Sequence, residues 1–281
     1  VWRRACIEDA GGWQTDTLTE DLDLSYRAWS RGWRGAYTPW VVAPGELPVT
    51  LSAFRRQQFR WARGSIQTAK KLAGSIVGAP TKKIRKLAAL AHVSAYMLHP
   101  LMLGFMVTWP LVIFARDWSP GLELPKFLLW GLTIFSPACL AFLVGMGVAL
   151  RRQDRSWKKI VPDVVMAALV GLSMVSSNTI AVGRALFGRN TGVFERTPKS
   201  KRGERTVYRI GLDGRWWAEL GLALYLSGAV AYALNSPRWW WSIPLAFYAL
   251  ATWLGVVLQF SKGKPEANAV DTGKIEARAV A

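Results

Sequence analysis

Two short runs in this chain carry side chains whose types and spacing suit group transfer. The first is Thr19-Glu20-Asp21, inside DTLTEDLDLSYRA. A carboxylate in the first turn of a helix can point out of the fold toward an acceptor hydroxyl and take its proton. The plainer reading is that Glu20, Asp21 and Asp23 are first-turn charges that favour a helix N-terminus. The second run is Gln57-Gln58-Phe59-Arg60-Trp61, within a heptapeptide that starts at Arg55. On a helix Gln57, Arg60 and Trp61 are three and four apart and share a face. Arg60 offers a bidentate fork for phosphate oxygens, and Gln57 a further donor. The indole of Trp61 offers a platform for a sugar ring and one N–H. Here the plainer reading is a surface Gln and Arg beside an interfacial Trp.

Local signals place these runs on helices. Gly11-Gly12-Trp13 marks a turn. Thr19 is expected to cap a helix that starts at Glu20, carries Leu22, Tyr26 and Trp29 at helical spacing, and ends at Gly32. Ala36-Tyr37-Thr38 and Trp40-Val41-Val42 suggest short strands interrupted by Pro39 and Pro44. A second helix follows Pro48 and carries the Gln57–Trp61 run. From Trp61 to Leu87 the chain has no acid, and Arg63, Lys70, Lys71, Lys82, Lys83, Arg85 and Lys86 interleave with Leu72, Ile76 and Val77. That pattern predicts an amphipathic segment, residues 62–87, lying on a bilayer surface.

The rest of the chain reads as membrane. Of 281 residues 51% are apolar and 16 are Trp, with a mean hydropathy of +0.15. The net charge is +18 and the pI about 10.4. The cations flank apolar runs, a pattern of cytoplasmic membrane flanks near anionic lipid, and no nucleic-acid recognition module is present. Residues 88–115, 127–150, 216–235 and 239–260 are each near the roughly 20 residues a crossing needs. Loop 116–126 is charge-balanced and predicted external; loop 151–159 is basic and predicted cytoplasmic. Eight Lys and Arg against three acids in residues 188–215 argue that 160–187 does not cross once, so an interfacial or re-entrant helix, or a helical hairpin, is expected there. The tail 261–281 is polar and predicted disordered. Trp239-Trp240-Trp241 suits an aromatic belt. His92 and His99, with no third ligand nearby in sequence, suit helix packing better than a metal site. Cys6 and Cys139 are not expected to pair, because Cys139 falls in an apolar run.

A TED triplet followed by QxxRW just before membrane segments resembles the processive, membrane-integrated family 2 glycosyltransferases, the cellulose synthase-like group. A third run, Phe194-Glu195-Arg196-Thr197-Pro198-Lys199, resembles their gating loop, roughly F-x-x-T-x-K, although Arg196 and Pro198 depart from the cellulose synthase version. The resemblance implies an α/β fold, a partial GT-A domain over residues 1–61, followed by an α-helical transmembrane domain with interfacial helices. It implies Asp21 as catalytic base. Thr19, Glu20, Gln57, Arg60 and Trp61 would bind acceptor and diphosphate, and Phe194, Thr197 and Lys199 would form the gating loop over the nucleotide. It also implies a nucleotide-sugar donor, a glycan or glycolipid acceptor, a lipid bilayer, and no nucleic acid. A divalent cation, Mg2+ or Mn2+, is expected in the full-length enzyme, its ligands in a D-x-D pair normally upstream of TED. Asp21-Leu22-Asp23 overlaps TED and is no substitute.

The chain therefore reads as the C-terminal fragment of a multi-pass inner- or plasma-membrane enzyme with a cytosolic catalytic part, the fragment being inactive alone. The expected reaction is inverting transfer from UDP-glucose to a β-linked polysaccharide. GDP-mannose with a mannan-type product, a glycolipid acceptor, a non-catalytic channel or assembly subunit, and an anionic-lipid-binding protein with chance motif matches remain alternatives.

Overall fold

The computed structural model describes residues 1–38, 40, 41, 43, 45, 48, 51–119, 143–188, 216–237 and 239–260. Its helices are α1 (Arg4–Asp9), α2 (Glu20–Ser30), α3 (Leu51–Gly78), α4 (Lys83–Val93), α5 (Leu98–Trp118), α6 (Trp157–Ser173), α7 (Val175–Phe187), α8 (Trp216–Leu234) and α9 (Ser242–Phe260). Residues 143–151 are also helical. No strand occurs among the described residues, so the α/β part of the expected fold is not seen. Ala36–Thr38 is irregular, and the Val41 N–H closes a turn onto the Thr38 carbonyl at 3.1 Å. A strand needs a ladder partner for its backbone groups, and none lies beside this stretch among the described residues. The predicted span 127–150 falls mostly outside the described residues, as do the Phe194–Lys199 run and the tail 261–281.

The N-terminal helices pack as one small unit. Gly12 (φ +70°) turns the chain after α1, and its N–H reaches the Ile7 carbonyl at 2.8 Å. Cys6, Ala10, Leu24 and Ala28 then bury against Ile7 and Trp33. Gly32 (φ +94°) closes α2 in the left-handed conformation that suits glycine. The other face of α2 lays Tyr26 and Trp29 on Leu72 and Ile76 of α3 and on Ala89 and Val93 of α4. Burial raises the Tyr26 phenol above its ordinary pKa. Its hydroxyl pairs with His92 Nδ1 at 2.6 Å.

Among the described residues, three stretches are long and apolar enough to cross a membrane: Ala95–Ala115, Trp216–Leu234 and Trp239–Leu258. The first carries a 3-10 turn at Ala95–Met97 after a break at Ser94, whose hydroxyl donates to the Leu90 carbonyl at 2.7 Å. Residues 157–187 are a helix pair, α6 and α7, bent by 48° at Met174. Helices α8 and α9 form a hairpin whose Leu222, Leu226 and Ala249 meet Met106 of α5 and Val175 of α7. Toward the other end Ala229, Ala233 and Leu245 bury against Ile113. Helix α3 joins the two parts: its Ile66 packs on Val182 and Ala185 of α7.

Candidate functional site

The two motif-bearing runs meet where the start of α2 crosses α3. The Leu18 N–H donates to Gln67 Oε1 at 3.1 Å, and the Leu18 carbonyl accepts from Arg60 Nη1 at 3.3 Å. The Thr19 and Thr68 hydroxyls hydrogen-bond at 3.2 Å. Gly64 lies directly beneath: a Cβ there would stand 2.6 Å from Thr19 Cγ2 and 3.0 Å from the Leu18 carbonyl carbon. Arg60, Gly64, Gln67 and Thr68 recur at i, i+4, i+7 and i+8, one stripe of a helix. Gln57 extends that stripe one turn toward the start of α3, and Trp61, four residues after Gln57, stands above it on the same side. Trp61 is 39% exposed.

Thr19 does not cap α2 as expected; no side chain caps that helix. Its hydroxyl is drawn inward to Thr68, 49 residues on, and Thr19 is buried. Asp21 and Asp23, two apart, face opposite ways on α2. Asp21 is exposed, and its Oδ1 accepts the Leu22 N–H at 2.8 Å. Asp23 is fully buried between Arg27 Nε at 2.7 Å and Lys71 Nζ at 2.8 Å. Lys71 also reaches Asp16 Oδ1 at 2.8 Å and Gln14 Oε1 at 2.5 Å, so a single ammonium fastens the preceding loop and α2 to α3. Glu20 is half-buried.

The residues between Gln57 and Arg60 serve a different purpose. Gln58 Oε1 accepts from the Tyr96 hydroxyl at 2.9 Å, and Phe59 lies 5.7 Å beneath the Arg184 guanidinium. They tie α3 to the membrane helices while Arg60 turns to Leu18. Beside Tyr96, His99 Nε2 pairs with Asn178 Nδ2 at 3.0 Å, a packing contact like that of His92. A cavity of about 460 Å3 lies between the end of α2 (Arg27, Ser30, and Arg31 just past it) and the end of α3 (Leu72, Ser75, Gly78), and Asp21 does not line it.

From the sequence Arg60 has only a ligand and Lys71 only a place among the cations of a bilayer-surface segment, while Gly64, Gln67 and Thr68 have no role. The available signal was their spacing from Arg60 on one helix. A divalent cation, where the family uses one, neutralises a leaving diphosphate. Among the described residues no group of three His, Cys, Asp or Glu could hold a metal. With Asp23 committed to Arg27 and Lys71, the Asp21-Leu22-Asp23 pair does not fit one, and no step is assigned to a metal here.

Comparison with known proteins follows the same line. The family model described as "Glycosyl transferase family group 2" matches residues 1–150, more than half of the chain. The chain belongs to that family. It is 28% identical over 256 residues to a probable glucomannan 4-beta-mannosyltransferase 9 of Oryza sativa subsp. japonica, covering 86% of this chain and 46% of that protein. It is 32% identical over 154 residues to glucomannan 4-beta-mannosyltransferase 2 of Arabidopsis thaliana, covering 52% of this chain and 27% of that protein. A third relative, the probable glucomannan 4-beta-mannosyltransferase 7 of Oryza sativa subsp. japonica, is 38% identical over 112 residues, 40% of this chain and 18% of that protein. The chain thus spans less than half the length of these relatives. No solved structure matches it.

Proposed function

We propose that this chain forms the acceptor side of a membrane-embedded, inverting glycosyltransferase that moves a mannosyl group from GDP-mannose onto a β-linked, mannan-type polysaccharide. The relatives' names favour a mannosyl product, so the UDP-glucose expectation gives way to the GDP-mannose alternative. One observation carries the site: the TED run is held on the QxxRW helix through Leu18 and Thr19, leaving Asp21 exposed beside it.

In this reading the Asp21 carboxylate takes the proton of the acceptor hydroxyl. That oxygen bonds to the anomeric carbon as the bond from that carbon to the diphosphate oxygen breaks. Configuration inverts in one displacement, and the nucleoside diphosphate leaves. Trp61 offers its exposed indole to the terminal sugar of the acceptor. Gln57 and the guanidinium of Arg60 lie on the same stripe, toward the diphosphate. Arg60 has a second task, fixing the Leu18 carbonyl and with it the backbone that leads into Asp21. The Phe194–Lys199 run is assigned by resemblance to cover the nucleotide, Thr197 and Lys199 facing the diphosphate. Residues 62–87 would lie at the membrane surface with the catalytic part on the cytosolic side.

The test is Asp21→Asn in the full-length protein, assayed in membranes with radiolabelled GDP-mannose and UDP-glucose. Loss of a positioned base should cut transfer by about 10²- to 10⁴-fold, with donor binding retained. Normal turnover in the variant would refute the base assignment, and incorporation from UDP-glucose alone would refute the donor.

A further inference from the structure

Arg55 opens the heptapeptide yet has no part in the proposed chemistry. Its side chain is 11% exposed and pairs, through Nη2, with the Glu219 carboxylate of α8, itself 5% exposed. Its Nη1 donates to the Gly255 carbonyl of α9 at 2.8 Å. One guanidinium therefore joins the start of α3 to both arms of the α8–α9 hairpin. Gly255 is also where α9 meets the bend between α6 and α7: a Cβ there would stand 2.8 Å from the Ser173 carbonyl oxygen. Further along α3, Lys70 Nζ donates to the Ala185 and Leu186 carbonyls at 3.1 and 2.7 Å, at the end of α7. Helix α3 is thus fastened at two points 15 residues apart, about 22 Å of helix rise. Gln57, Arg60 and Trp61 lie between them, Arg60 about 7.5 Å beyond Arg55.

We propose that Arg55 is a positioning residue: its bond to Glu219 and Gly255 sets the height and rotation of the Gln57–Trp61 face relative to the membrane helices. The inference rests on the reading that this face holds the diphosphate and the acceptor sugar. A buried ion pair is commonly no more stabilising than apolar groups of similar volume, so an apolar replacement should keep the fold. What the pair supplies that an apolar contact does not is a fixed direction at the guanidinium fork. Asp21 sits on α2, held to α3 beyond Arg60. A tilt of α3 about its Lys70 fastening would move Gln57, Arg60 and Trp61 together, while the run leading into Asp21 stays held at Gln67 and Thr68, close to that fastening. The diphosphate contacts and the sugar platform would then shift relative to Asp21, and transfer per folded molecule would fall.

The experiment compares wild-type full-length protein with Arg55→Lys, Glu219→Gln and the double variant Arg55→Met/Glu219→Met. It reads nucleoside diphosphate released, sugar incorporated into polymer, KM for the donor, and the thermal unfolding midpoint. The double Met variant should unfold near the wild-type midpoint. Its transfer per folded molecule should fall about ten- to a hundredfold, since misplacement on the order of 1 Å costs about 10² in rate. Donor KM should rise as Gln57 and Arg60 shift, and Arg55→Lys should recover part of both losses. If incorporation and release fall together, in proportion to folded protein, Arg55 is structural only and the proposal fails. If the double variant transfers as wild type does, it also fails, whereas the glycosyltransferase reading survives. If wild-type protein releases no diphosphate from any nucleotide sugar, both readings fall.

Discussion

Gly64→Ala isolates how the TED run is held. A methyl at Gly64 would sit 2.6 Å from Thr19 Cγ2, 2.9 Å from Thr19 Oγ1 and 3.0 Å from the Leu18 carbonyl carbon. Ordinary contact starts near 3.4 Å, so Thr19 must retreat by about 0.8 Å, the difference between 3.4 and 2.6. Thr19 cannot simply rotate, because it is buried and its hydroxyl is bonded to Thr68. The backbone two residues before Asp21 therefore moves. Overpacking of this kind costs about 1–3 kcal/mol. The helix recovers about 1 kcal/mol because alanine replaces glycine in its interior. Net stability should fall by about 0–2 kcal/mol, too little to unfold the protein. The site should suffer far more, because a displacement approaching 1 Å costs about 10²-fold in rate. Gly74→Ala, in the same helix, meets nothing within 4 Å and serves as the control. It should stabilise by up to about 1 kcal/mol and leave turnover unchanged. Both variants would be measured by thermal unfolding and by sugar incorporation from GDP-mannose in membranes. Wild-type turnover in Gly64→Ala, with the midpoint lowered or not, would refute the claim that the Gly64–Thr19 contact sets the position of Asp21.

Two further expectations concern the N-terminal unit. Lys71→Met leaves the buried Asp23 carboxylate with Arg27 alone and should destabilise by about 1.5–3 kcal/mol, read as a lowered unfolding midpoint. The Asp9 carboxylate is held below its usual range, first by the Trp33 indole N–H at 2.8 Å and then by Arg31. A depressed carboxylate contributes stability above its unfolded pKa of about 3.9, and that contribution is lost as pH falls through the lower folded value. Trp33→Phe should flatten the fall in unfolding midpoint as pH drops below about 4, and an unchanged pH profile would exclude the Trp33 bond as the cause.

Local patterns carried far in this chain, and non-local ones did not. Gly12 and Gly32 announce the ends of α1 and α2 because positive φ is a property of the glycine itself. The apolar helices of residues 95–115, 216–234 and 239–258 are legible because length and hydropathy decide them. Thr19 shows where this stops. Its type and position specify a cap, yet a hydroxyl 49 residues away outcompetes the local N–H. Gly64, Gln67 and Thr68 are unremarkable until α2 is laid across them, and Arg55 reads as one more interfacial cation until Glu219 is found opposite. The strand expected at Ala36–Thr38 is not seen for the complementary reason: such a stretch becomes a strand only when another edge is present. Donor identity was not legible at all, since no residue of these runs distinguishes one hexose from another. It was the relatives, not the motifs, that shifted the reading from glucose to mannose.

The grip of α3 on the TED run also dictates an order of events during synthesis. Leu18 and Thr19 find their partners in Gln67 and Thr68, each 49 residues later. At about 5–20 residues per second, a ribosome needs roughly 2–10 s to make that stretch. Through this interval the segment leading into Asp21 has none of the contacts that give it its shape. By the time α3 is complete, the next apolar stretch, Ala95–Ala115, long and apolar enough to cross a membrane, is about to be made. Helix α3 has to dock on α2 while that stretch is emerging. The shaping of the segment around Asp21 and the placement of the apolar helices therefore share one narrow window.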